Sequence, residues 1–149
     1  AQRLARTETN IAYRTADLER WEQLDFVIGY EIKVSKNHPH YDICDELAGK
    51  YPKDFVWTGW HPNCRCFMIP ILAGGDDIEE MIERIMAGDD GEVIQKEKIT
   101  EFPGAFNKWI KENEDRMDKA KAKAKGTLPY FIKDNSKAIE KILHPFKPK

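Results

Sequence analysis

Residues 59 to 70 read GWHPNCRCFMIP, and within them HPNCRC brings His61, Cys64 and Cys66 close together in sequence. Such a grouping suits ligation of a borderline metal, a disulfide, a thiolate nucleophile beside a base, or simply the packed start of a strand. On an extended chain, Cys-x-Cys spacing puts both sulfurs on one face, about 7 Å apart along the backbone, near enough to share one tetrahedral zinc. Cys44, His61, Cys64 and Cys66 then make a Cys3His set, with His38 or His40 of NHPHYDIC as a substitute ligand. Paired Cys-x-x-Cys knuckles, the usual mark of structural zinc, are missing. Small buried cysteines on an inward strand face are the plainer alternative. A Cys64–His61 nucleophile pair is disfavoured, because cysteine hydrolases draw their histidine from far along the chain.

Other chemistry-bearing stretches have plainer readings. In ARTETN, Arg6 and Glu8 invite a catalytic interpretation. On a helix, however, Arg6, Thr9, Asn10, Tyr13 and Arg14 form a polar stripe suited to fixing neighbouring loops by hydrogen bonds. Asp42 and Asp45 flank Cys44 and suit a turn cap or support of a metal ligand. The run KAKAKAKG (119–126) resembles a basic patch, yet lysines two apart lie about 200° around a helix from one another and surround it. Near a helix C-terminus they complement its dipole.

These residues need elements to position them. Leu4 to Leu24 lacks Gly and Pro and carries Leu4, Ile11, Leu18 and Trp21 at helical spacing, which predicts a helix. Phe26, Ile28, Tyr30, Ile32 and Val34 alternate, which predicts an antiparallel strand over 26–34. Residues 36–61 carry several Gly, Pro, Asn and Asp and read as a long ordered loop with one helical turn at DICDELAGK. A second strand follows over 64–71, with Cys64, Cys66 and Met68 on one face and Pro70 marking an edge. Beyond Leu72 the spacing predicts a short amphipathic helix ending at Gly88. A longer helix should follow on the Phe106, Trp109, Ile110, Asn113 and Met117 face, capped at Gly126. LPYFIKD reads as extended, and Asp134 or Asn135 as the N-cap of a last helix. The fold class is therefore α+β: a long N-terminal helix on a small antiparallel sheet with a long ordered loop, then a helical C-terminal segment, packed or projecting. The division falls at 1–72 and 73–149.

At 149 residues the chain has the size of one domain, and 24 Lys plus Arg nearly balance 26 Asp plus Glu. No global field draws it to nucleic acid or an anionic membrane. FMIPIL, the longest apolar run, is far short of the roughly 20 residues needed to span a bilayer. Three cysteines, an odd count, fit free or metal-bound thiols in a reducing compartment better than a disulfide framework. The opening AQRLARTETN has neither an initiator methionine nor a signal-peptide pattern, and reads as the start of a piece of a longer protein.

RLARTETNIAYR, then a strand, then CDELAG, then HPNCRC and an apolar strand, in that order, resemble the phage Mu F-like minor head proteins, the phage head morphogenesis family. The resemblance covers residues 3 to 72. It implies a virion or prohead component in few copies, without enzymatic activity, associated with the portal and with DNA packaging or ejection. Portal or capsid proteins are then the expected partners, with packaged DNA a further candidate, and neither a membrane nor a small-molecule substrate. The expected location is the virion or the bacterial host cytoplasm. Carried over position by position, the matching residues are Arg6, Thr7, Glu8, Cys44, Gly49, His61, Cys64, Arg65 and Cys66, with a fold-holding role. Many family members have Cys-x-x-Cys where this chain has Tyr41 and Cys44, so one presumed ligand is missing. The expectation is a clamp in which His61 and Arg65 bond loop carbonyls or Glu8 and Asp45, with a structural zinc as candidate cofactor. The alternatives are part of a polymorphic toxin, of nuclease or ADP-ribosyltransferase type, carried on a phage-like module, and a zinc-stabilised adaptor domain.

Overall fold

The computed structural model describes residues 1–88, 98–123 and 128–145. Helix α1 spans Gln2–Glu22, as the absence of helix breakers predicts. The face it turns inward is less apolar than expected. Thr7 and Arg14 are its buried residues, with Leu18 and Trp21 packed at the margin of the core, whereas Leu4 is 66% exposed.

Strand β1 (Val27–Lys33) is central in a three-stranded antiparallel sheet ordered β2-β1-β3, with β2 at Gly49–Pro52 and β3 at Phe67–Leu72. Tyr30 lies opposite Tyr51 on one side and Pro70 on the other. Pro70, which cannot donate to a ladder, is accommodated on an edge strand. β3 starts later than the expected residue 64: Cys64 and Cys66 belong to its extended lead-in, where the expected alternation still holds, both being buried and Arg65 exposed. β2 was not legible, because four residues bounded by Gly49 and Pro52 carry no periodicity. The helical turn expected beside it is present as α2 (Ile43–Glu46).

Tyr30, Ile32 and Tyr51 on one sheet face meet Phe55, Trp57 and Trp60 from the loop, and the C-terminal helices close over them. Tyr51 stacks on Phe55 with ring centroids 4.6 Å apart, and Trp60 meets Phe131 edge-on at 5.0 Å. Phe102, Phe106, Ile110, Met117, Phe131 and Ile139 thus pack the described C-terminal helices onto this core. Helix α3 (Gly75–Met86) follows β3 and leaves Ile82 and Ile85 exposed, and Gly88 sits just past its end at φ +78°.

Where one continuous helix was expected, α4 (Gly104–Glu112) and α5 (Glu114–Ala122) are separated at Asn113, whose side-chain amide donates to the Trp109 carbonyl at 2.9 Å. Such local bonding competes with the helical ladder. Phe106, Ile110 and Met117 face inward as expected, and Gly126 lies outside the described residues. LPYFIKD is helical rather than extended over α6 (Tyr130–Lys133). Pro129 immediately precedes that helix, where a missing N–H costs nothing, and Phe131 and Ile132 are buried through it.

Helix α7 (Ser136–Leu143) begins after Asn135, yet the Asn135 side chain does not cap it. It reaches across the fold instead. Its Oδ1 accepts from the Val56 N–H at 2.8 Å, and its Nδ2 donates to the Val56 carbonyl at 2.7 Å and to the Phe131 carbonyl at 2.9 Å. A buried amide thus satisfies loop backbone that belongs to no strand. Asn135→Ala strands those groups and should cost about 2 kcal/mol. Thermal denaturation should show a Tm lowered by about 4 to 8 °C, and an unchanged Tm would assign the loop's stability to the aromatic packing alone.

Candidate metal centre

HPNC is a tight turn. The Cys64 N–H donates to the His61 carbonyl at 3.2 Å, Pro62 occupies the second position, and Asn63 sits at φ +63° in the third. Pro followed by a residue able to take positive φ is the type II pattern, and Asn tolerates that region better than most side chains. The turn carries His61 to one side and swings Cys64 and Cys66 under α1.

Helix α1 holds this turn by a polar face. Arg6 donates to the Asn63 side-chain oxygen at 3.0 Å, and the Asn63 N–H donates to the Thr7 hydroxyl at 2.9 Å. Asn10 donates to the Cys64 carbonyl at 3.1 Å. The buried Arg14 guanidinium donates to the carbonyls of Thr58 at 2.6 Å, Cys64 at 3.2 Å and Cys66 at 2.7 Å, and lies 4.4 Å from the centre of the Trp57 ring. Gly59 is required there: at φ +142° a Cβ would stand 2.7 Å from Arg14 Nη1.

The clamp expected from the sequence is partly rearranged. Arg65 bonds a loop carbonyl, that of Asn37, at 2.7 Å, but at the exposed surface. His61 bonds neither Glu8 nor Asp45: its Nδ1 faces the Pro62 carbonyl at 2.8 Å, and its Nε2 lies 3.1 Å from Cys44 Sγ and 3.3 Å from Asp42 Oδ2. Glu8 is exposed, outside this network. Asp45 accepts from the Asp42 N–H at 3.0 Å, completing a capping box on α2 in which Asp42 accepts from the Cys44 N–H at 2.7 Å. Arg14 and Asn10, placed in the polar stripe by spacing, carry most of the clamp. Thr9 and Tyr13 of that stripe are exposed.

Cys44, Cys64 and Cys66 are buried, free thiols whose sulfurs all lie within 4.8 Å of one another. The Cys44–Cys64 separation is 3.7 Å. With Zn–S bonds of about 2.3 Å, the edge of a tetrahedron is about 3.8 Å, so the thiols are spaced as ligands of one ion. They cannot all ionise so close together. Hydrogen bonding from Cys44, then from Cys66 and the backbone of Trp60 and Cys66, drives the Cys64 thiol far down, burial opposing. Cys44 is driven up, chiefly as the donor to Cys64. The hydrogen-bonded trio thus favours ionisation at Cys64 over Cys44.

The expected Cys3His set is drawn differently by the structure. His38, Asp42, Cys44 and His61 form a second group within 4.8 Å, sharing only Cys44 with the three thiols. His61 is thus brought to Cys44, and His38 to Asp42. His40 stays exposed, its ring 6.0 Å from that of His38. Bonds from the Cys44 backbone and side chain, then the two imidazoles, hold Asp42 below its ordinary value although burial acts the other way. Asp42, read from the sequence as a turn cap or the support of a metal ligand, both caps α2 and joins the second ligand group. Both metal-capable groups among the described residues fall within positions 38 to 66. Compared with models of known families, with curated proteins and with solved structures, the chain matches none. No helix among the described residues is long and apolar enough to cross a membrane.

Arg14→Met should destabilise the fold by at least about 3 kcal/mol, since it leaves three carbonyls without their charged donor. Arg65→Ala, which removes an exposed bond, should cost about 0.5 kcal/mol. Urea denaturation of the two variants measures the difference, and equal losses would place the clamp at the surface instead.

Proposed function

We propose that this chain is a structural component of a phage or prophage head, of the minor head protein class that its sequence resembles, and that it works by holding a shape for portal or capsid partners without catalysis. The observation that carries this reading is the convergence of Cys44, Cys64 and Cys66 beneath a polar helix face. Every buried group of HPNCRC is engaged in holding a loop, a turn and a strand together, and the donor set suits zinc. Three thiolates favour zinc over the hard cations, which prefer oxygen. Bound there, zinc would be held by Cys44, Cys64 and Cys66 and would supply cross-linking in place of a disulfide.

The role is tested in assembled particles and the cofactor in the purified chain. Tagged at its native locus, the chain should be found by quantitative mass spectrometry in purified DNA-filled heads, in fewer copies than the major capsid protein. Its deletion should impair head assembly, packaging or ejection; intact, infectious particles formed without it would overturn the role. For the cofactor, the purified chain should contain zinc by elemental analysis, and chelation should lower its Tm by about 10 °C or more. A zinc-free chain with an unchanged Tm would reduce the cluster to a packed, hydrogen-bonded knot.

A further inference from the structure

The geometry of the second ligand group is not that of a polar surface turn. His61 Nε2 and His38 Nε2 both point at the one carboxylate of Asp42, each 3.3 Å from one of its oxygens. With metal–nitrogen and metal–oxygen bonds of about 2.1 Å, neighbouring ligand atoms on a tetrahedron are about 3.4 Å apart. The remaining nitrogen of each ring is held from behind, His61 Nδ1 by the Pro62 carbonyl at 2.8 Å and His38 Nδ1 by Asp45 Oδ2 at 3.4 Å. Carbonyl or carboxylate support of the far ring nitrogen is how metal-binding imidazoles are usually oriented.

In His38 both ring nitrogens face carboxylate oxygens, while a neutral imidazole has one N–H to give. The other pairing sets lone pair against lone pair, and a proton or a metal cation between the atoms relieves it. The His38 side chain is only 8% exposed, so water has little access. Cys44 joins this group through the 3.1 Å approach of its sulfur to His61 Nε2, and it is equally a member of the thiol group. Ionised by metal binding, three thiolates and the Asp42 carboxylate would carry four negative charges, which two divalent ions cancel. A cleft of about 240 Å³, lined by Arg3, His38, Asp42, His61 and Arg65 among others, opens this side of the cluster to solvent and gives an ion a way in.

Resting on the zinc reading above, we propose that the cluster is binuclear: a second zinc is held by His38, Asp42 and His61, and the Cys44 thiolate bridges it to the ion held by Cys64 and Cys66. On loading, the thiols still protonated, Cys44 among them, give their protons to solvent, and the Cys44 sulfur contributes two lone pairs, one to each ion. The inner ion, held by the three buried sulfurs, fastens the HPNC turn to α2. The outer one, at the cleft, ties the 38–42 loop to the HPNC turn.

The full chain, purified under reductant, saturated with zinc and freed of loosely held metal by gel filtration, should carry two zinc ions by elemental analysis. X-ray absorption at the zinc edge should give about two sulfurs per zinc, because Cys44 is counted twice and Cys64 and Cys66 once each over the two ions. The double variant His38→Ala, Asp42→Asn should retain one zinc, with the sulfur count rising to about three. If that variant does not fold, the sulfur count of the unaltered chain decides alone. A single zinc with about three sulfurs in the unaltered chain would overturn the second ion and leave the thiol site standing. No zinc would overturn both, and two zinc ions retained in the double variant would place the second one elsewhere.

Discussion

Everything around the cluster depends on one buried cation. Arg14 gives its guanidinium to three backbone carbonyls, those of Thr58, Cys64 and Cys66, with Trp57 lying against it. None of these partners is a side-chain anion, so the charge is met by backbone carbonyl dipoles. The planar fork of arginine can serve carbonyls that diverge from one another, which a lysine ammonium could not match in geometry. It fixes where the loop ends and the lead-in to β3 begins, and so fixes the spacing of Cys64 and Cys66. It is also the one charged group that α1 buries, the other buried residue of the helix being Thr7.

Much of this architecture could be read from residue order. The helix, β1 and the alternation through CRCFM follow from periodicity, and HPNC declares a turn through its Pro-Asn pair. The role of Arg14 was less legible, because its partners are carbonyls and every residue has one. Asn135 looked like a cap for the same reason: Asn before a helix usually is one, and only the tertiary position of Val56 turns the side chain elsewhere. β2 is too short to show a period, and the break at Asn113 rests on one side-chain bond within a stretch of good helix formers.

The site shows the same division. Counting cysteines and nearby histidines identified Cys44, Cys64, Cys66 and His61, and three-dimensional placement showed that the histidines attend to Asp42 as much as to the thiols. Arg65 and Glu8, salient in sequence because they are charged and lie in conspicuous motifs, are exposed. The residues that hold the centre together are those whose polarity is spent inside.

The polar inward face of α1 also bears on the order in which the protein forms. Its bonds to the HPNC region join residues 44 to 57 positions apart in the chain, so none can form until residues 58 to 66 are in place and the intervening loop has closed. Until then the threonine, asparagine and arginine groups that make these bonds face water, so the docking of the helix is tied to the closing of the loop.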